Sequence, residues 1–265
     1  MLHLLKIEYA KVKNYRTFWV ILLIYAALVP LGFLGLCQFI SNLVLIGSGP
    51  KMVDYAGFPD VWRYLTWTAA WWNIMLGILV VILTCNEISY RTQRQNIIDG
   101  LSRKDIILSK FYLLVALALA VTLYTALIGF IFGVGFSGFQ SIGPGMENLG
   151  VYFVQTLGYF SFAYFFAMLI RKPALAIILY FVVFVLNLFW GAIVGDIVVQ
   201  FIPTYLISGL VPFPFFEGFI EMAQKRNPEF VEPWILDRTV QLVLALVYIA
   251  VFMAIGYLTV KRRDL

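Results

Sequence analysis

One stretch, RTQRQNIIDGLSRKDIILSK at residues 91–110, is polar and charged between strongly apolar flanks. If the segment is helical, Arg91, Arg94 and Gln95 share a flank, being three and four residues apart. Glu87 and Thr92 stand beside them, and Ile88, Tyr90, Ile97 and Ile98 add apolar surface. NEISYRTQRQNII continues the preceding apolar segment as a helix to Ile98, and Gly100 is placed to end it. Ser102, three residues before Asp105, makes a capping pattern that starts the next helix. The alternative is a plain basic connection, but a connector needs only four or five residues. Two structured segments with projecting apolar residues make a docking surface for a partner. The chemistry is recognition by charge and shape.

Other candidates for chemistry are few. GSGPK at residues 47–51 lacks the spacing of a phosphate-binding loop, and no other stretch has it. The chain therefore has no nucleotide-hydrolysing site of its own, and no cofactor or metal ligand set is read in it. His3 is the one histidine, and it reads as an interface residue. Cys37 and Cys85 fall near opposite ends of their segments, too far apart to bridge, so both read as packing residues.

The elements that must position these residues follow from composition. Hydrophobic residues make up 62% and charged residues 12% of the sequence, with mean hydropathy +0.91. A soluble domain is nearer 25% charged, so this chain is an all-α integral membrane protein. A spanning helix needs about 20 apolar residues; six stretches qualify, at 19–45, 64–83, 107–134, 151–170, 174–193 and 240–260. The first reads as a retained helix, since its apolar run exceeds that of a leader peptide. Residues 1–265 form a single transmembrane unit. With the termini inside, 14 of the 19 basic residues lie on the inner side. That asymmetry predicts a cytoplasmic N-terminus, C-terminus and 86–106 loop. Scattered over several segments, the basic residues make no continuous face for nucleic acid.

Residues 1–16 place Leu2, Leu5, Tyr9 and Val12 on one helical face and His3, Lys6 and Lys13 on another, the pattern of an amphipathic helix in the inner interface. Trp62, Trp67, Trp71, Trp72, Trp190 and Trp234 fall near the outer boundary and Trp19 near the inner one, as interfacial anchors do. Residues 200–222 are apolar but interrupted by Pro203, Pro212 and Pro214. Two short helices that dip into the outer leaflet and return suit this stretch better than a seventh span.

In this order the features resemble the ABC-2 type permeases, the membrane subunits of type V ABC exporters. Glu87, Arg91 and Thr92 match the end of the family's second span; Leu101, Ser102, Arg103 and Lys110 match the stretch entering its third. The spacing before Ser102 is shorter than in the family, and the proline often found near Leu101 is missing. The KRRDL ending is similar to basic family termini. The resemblance implies that 86–106 is a coupling helix docked on a separate cytosolic ATPase through Glu87, Arg91, Thr92, Arg94, Gln95 and Arg103. It implies also that 1–16 is a connecting helix and 200–222 a re-entrant segment. ATP and magnesium would be bound by the partner, and two permease copies or paralogues would work with two ATPases in a prokaryotic inner membrane.

Spans one and five face the second permease in that family, which makes Gln38, Asn42 and Asn187 candidates for a translocation path. Their alternative is hydrogen bonding between helices. Asp196, the acid at the outer end of span five, is a candidate rim or gate residue. A membrane anchor that holds a cytosolic protein without transport is the rival reading. An ion-coupled carrier ranks last, because the spans are nearly free of ionisable residues.

Overall fold

The computed structural model describes residues 2–43, 55–90, 92–98, 100–215, 220, 224 and 234–261, and no strand occurs among them. The helices described in full are, in chain order, α1 (Leu2–Lys13), α2 (Arg16–Leu43), α3 (Val61–Ser89), α4 (Thr92–Ile98), α5 (Arg103–Ser137), α6 (Glu147–Ile170), α7 (Pro173–Val194), α8 (Asp196–Val199), α9 (Pro203–Gly209) and α10 (Arg238–Lys261). Six of them, α2, α3, α5, α6, α7 and α10, are long and apolar enough to cross a membrane, so the chain is a multi-pass helical membrane protein. Helices suit that solvent because every backbone group is satisfied within the segment. At 35 residues α5 is the longest; at 1.5 Å per residue it exceeds a hydrocarbon layer of about 30 Å. Its first turns, with Arg103, Lys104 and Asp105, can therefore stand clear of the apolar region.

The core is the α3–α6 pair. α10 packs on α6, α2 on α3, and α7 touches both, while α1 lies against α5. Of the apolar stretch of α6, 67% is buried, against 22% for α2 and 17% for α7. Glycines let the helices close up, as small residues do between membrane helices. A Cβ on Gly77 of α3 would stand 2.0 Å from the Tyr180 hydroxyl of α7, and one on Gly256 of α10 would stand 2.6 Å from the Tyr164 ring of α6. Cys37 and Cys85 are free and buried.

Two expectations change, and a third lies partly outside the described residues. The helix through Glu87 does not run to Ile98: α3 ends at Ser89, and α4 starts afresh at Thr92. Trp62 is no interfacial anchor but a core residue, 2% exposed, whose indole N–H donates to the Ile142 carbonyl over 3.0 Å. Trp71, Trp234 and Trp19 are exposed. Within 200–222 only residues 203–209 form a described helix, α9; residues 216–219 and 221–222 lie outside the described residues. Gln200 joins this region to α10, since its amide N–H donates to the Trp234 carbonyl and its Oε1 accepts from the Leu236 N–H at 2.5 Å.

Candidate functional site

At the end of the bundle that carries α1 and Lys261, three elements meet in a cluster of charges. Glu8 comes from α1, Glu87 from the last turn of α3, and Lys110 from the second turn of α5. The Lys110 ammonium donates to Glu8 Oε2 at 2.5 Å and to Glu87 Oε1. Lys11 donates to Glu8 Oε1 at 3.0 Å and reaches Glu87 Oε1 at 3.3 Å. Ser109 Oγ lies 3.3 Å from Glu8 Oε1. Two carboxylates face two ammoniums, so the group is formally neutral. The side chains of Glu8 and Lys110 are 1% and 4% exposed.

Burial by itself raises the pKa of Glu8, but the fields of Lys110 and Lys11 and their hydrogen bonds outweigh it and hold the carboxyl below its ordinary 4.5. Glu87 Oε2 is buried without a hydrogen-bond partner among the described residues. Beside it lies a cavity of about 180 Å³ walled by Lys11, Tyr15, Asn86 and Thr92 among others. Asn86 donates to the Tyr15 hydroxyl at 3.1 Å, a further tie between α3 and the α1–α2 junction.

This arrangement corrects one sequence reading. Glu87 does not present itself to a partner; it is 9% exposed and turned into the bundle. Lys110, in the first turns of the third span, is covered by α1. Glu8, absent from the candidates, is the residue that completes the cluster. A signal for it was available: Lys110 sits between Ile107 and Leu114 in an apolar run, where a charge must be paired. Glu8 is one of the few acids on the same side.

The rest of the 86–106 loop is more open. Thr92 Oγ1 donates to the Glu87 carbonyl at 3.2 Å, taking up an acceptor left where α3 stops. α4 closes on Gly100, whose φ of +95° only glycine adopts readily. The Leu101 N–H returns to the Asn96 carbonyl at 2.9 Å. The predicted capping box forms: Asp105 N–H donates to Ser102 Oγ at 3.2 Å, and Ser102 N–H to Asp105 Oδ2 at 3.1 Å. Tyr90 and Ile98 are 77% and 70% exposed. Gln95 is exposed too. Arg91 and the side chain of Arg94 lie outside the described residues. Arg103 turns toward the last helix, its guanidinium donating to the Lys261 carbonyl at 2.6 Å, where the negative end of the α10 dipole favours a cation.

The two path candidates whose side chains are described, Gln38 and Asn187, do not meet. Gln38 is exposed on α2, which packs against α3 and α5, whereas Asn187 is on α7, which packs against α3 and α6. Asn187 Oδ1 accepts from Thr204 Oγ1 at 2.7 Å, tying α7 to α9. The side chains of Asn42 and Asp196 lie outside the described residues.

The sequence reading missed a second polar group, this one neutral and inside the α2–α3–α6 core. Tyr25 and Tyr152 share a hydrogen bond of 2.8 Å, Tyr152 donates to Asn73 Oδ1 at 3.1 Å, and Asn73 Nδ2 donates to Thr156 Oγ1 at 2.9 Å. No group of three or more metal-ligating residues occurs among the described residues.

Residues 23–265 match the model of the family described as "Protein of unknown function (DUF2705)", so the chain belongs to that family. No curated protein and no solved structure matches it.

Proposed function

We propose that this chain is the permease subunit of an ATP-driven exporter, of the ABC-2 kind, that couples to a separate cytosolic ATPase through residues 86–106. The observation that carries the reading is the pairing of an exposed loop with a buried clamp directly beneath it. Tyr90, Ile98 and Gln95 offer a surface, while Glu8, Lys11, Glu87 and Lys110 lock the roots of α3 and α5 to α1. A push on α4 then moves α3 and α5 together, because sliding one past the other would strand a charge away from water. A loop hung on flexible joints would dissipate the same push.

In this reading α1 lies in the inner interface as the connecting helix, and 200–222 is the re-entrant segment at the outer face. Both termini are cytoplasmic in a prokaryotic plasma membrane. The sparsely buried faces of α2 and α7 meet a second permease. ATP and magnesium belong to the ATPase, and this chain binds cargo and changes shape. Docking falls to Arg91, Thr92, Arg94 and Gln95, with Glu87 acting from beneath and Arg103 holding the loop to α10.

The test is co-purification from native membranes, with the ATPase activity of the eluate measured. Wild-type chain should bring down a stoichiometric ATPase subunit, and Arg94→Glu should lose it by tenfold or more at unchanged expression. Equal ATPase recovery with Arg94→Glu, or a different cytosolic partner in its place, would overturn the coupling assignment.

A further inference from the structure

In the half of the bundle remote from the termini, α3, α6, α7 and α9 enclose a cavity of about 470 Å³. That is the size of a small-molecule pocket. Its walls are aromatic and aliphatic, with Trp67 and Trp71 from α3, Tyr159 from α6, and Phe181 and Leu188 from α7. Trp71, Phe181 and Leu188 are each more than half exposed on the outer surface of the bundle, so the cavity opens sideways between α3 and α7, toward the surroundings of the spans. Among the described residues no charged side chain lines it. An ionic head would be stripped of water there without a counter-charge.

The polar groups are few and specific. Gln155, 1% exposed, donates through Nε2 to the carbonyls of Ile207 and Ser208 at 3.1 and 3.0 Å. Two carbonyl partners settle the amide orientation and leave Oε1 as an acceptor. That atom is buried and has no partner among the described residues. Across the cavity, Asn187 uses its Oδ1 for Thr204, and its Nδ2, a donor, has no partner among the described residues. An orphaned buried acceptor costs about 1–3 kcal/mol. That acceptor has no surface on the cavity, so the amide donor of Asn187 is the polar group a ligand there can meet.

We propose that this cavity binds a neutral amphiphile: a molecule with one acyl chain or comparable apolar body and an uncharged hydroxyl or amide head. The head accepts from Asn187 Nδ2, and the tail lies among Trp67, Phe181 and Leu188. The site stands on its own geometry; only the identification of the amphiphile as cargo rests on the exporter reading.

The experiment uses the purified full chain without any ATPase, so failure of the coupling assignment would leave it intact. Radiolabelled mono-oleoylglycerol is the probe, with oleate and dioleoylphosphatidylcholine as competitors. Mono-oleoylglycerol should bind saturably, and each competitor should be at least tenfold weaker. Val185→Trp puts an indole into the cavity from α7 while leaving the Gln155 bonds to α9 in place; it should abolish binding at an unchanged melting temperature. Asn187→Leu should weaken binding by about tenfold or more, the loss of one hydrogen bond to the head. Wild-type affinity in folded Val185→Trp, equal competition by oleate, or no saturable binding would each overturn the proposal.

Discussion

Two polar groups hold α3 to its neighbours, one charged and one neutral, and they sit in different places for a physical reason. The charged cluster of Glu8, Lys11, Glu87 and Lys110 lies at the end of the bundle, where α1 covers it. The neutral chain Tyr25–Tyr152–Asn73–Thr156 lies among spans. Moving an ion out of water costs several kcal/mol even after relaxation, so ions are affordable only near an edge with opposite charges in contact. Hydroxyls and amides carry a smaller desolvation cost and can be placed within the apolar core. The charged cluster should therefore be the stiffer joint and the more fragile one.

The largest break in that contrast comes from Lys110→Met, which leaves Glu8 and Glu87 sharing Lys11. A loss of about 3–5 kcal/mol is expected for an uncompensated buried charge, read as a lowered melting temperature in detergent. Adding Glu8→Gln restores the balance, with Glu87 and Lys11 still paired, and should recover more than half of the loss. A double variant no better than Lys110→Met would show that packing, and not charge, holds the joint.

In the neutral group, Asn73→Leu strips Tyr152 and Thr156 of a shared partner and should cost about 1–3 kcal/mol. Tyr25→Phe removes one hydrogen bond and should cost about 1 kcal/mol, the usual range between membrane helices. An Asn73→Leu loss equal to that of Lys110→Met would erase the distinction between the two groups.

Acid sharpens the comparison. The Glu8 carboxyl is held below its ordinary 4.5, so the folded state favours its ionised form. Its contribution to stability is complete above that ordinary value and disappears as pH falls through the lower folded value. Melting temperature should drop more steeply in that acid range for wild type than for Glu8→Gln, whereas Tyr25→Phe should follow the wild-type slope. Parallel curves for wild type and Glu8→Gln would remove Glu8 from the linkage. The smallest effect belongs to Arg103→Ala: its bond to the Lys261 carbonyl is exposed, and its loss should cost less than about 1 kcal/mol.

The six spans were readable from the sequence because each is a local property: about 20 apolar residues declare a membrane helix whatever lies around them. The Ser102–Asp105 cap and the Gly100 stop were readable for the same reason, since each involves residues a few positions apart. Glu87 was misplaced because its surroundings are not local. Its partners, Lys11 and Lys110, stand 76 and 23 residues away, and only the docking of α1 on α5 turns an apparently solvent-facing acid inward. Trp62 misled in the same way: a tryptophan near a span end suits the interface, but the Ile142 carbonyl and Gly129 offered it a place in the core. Segment identity thus follows from the water-to-lipid transfer of each stretch. The choice of which polar groups meet was made by helix packing, where close approach at glycines and the demand that every buried charge find its opposite outweigh local preference.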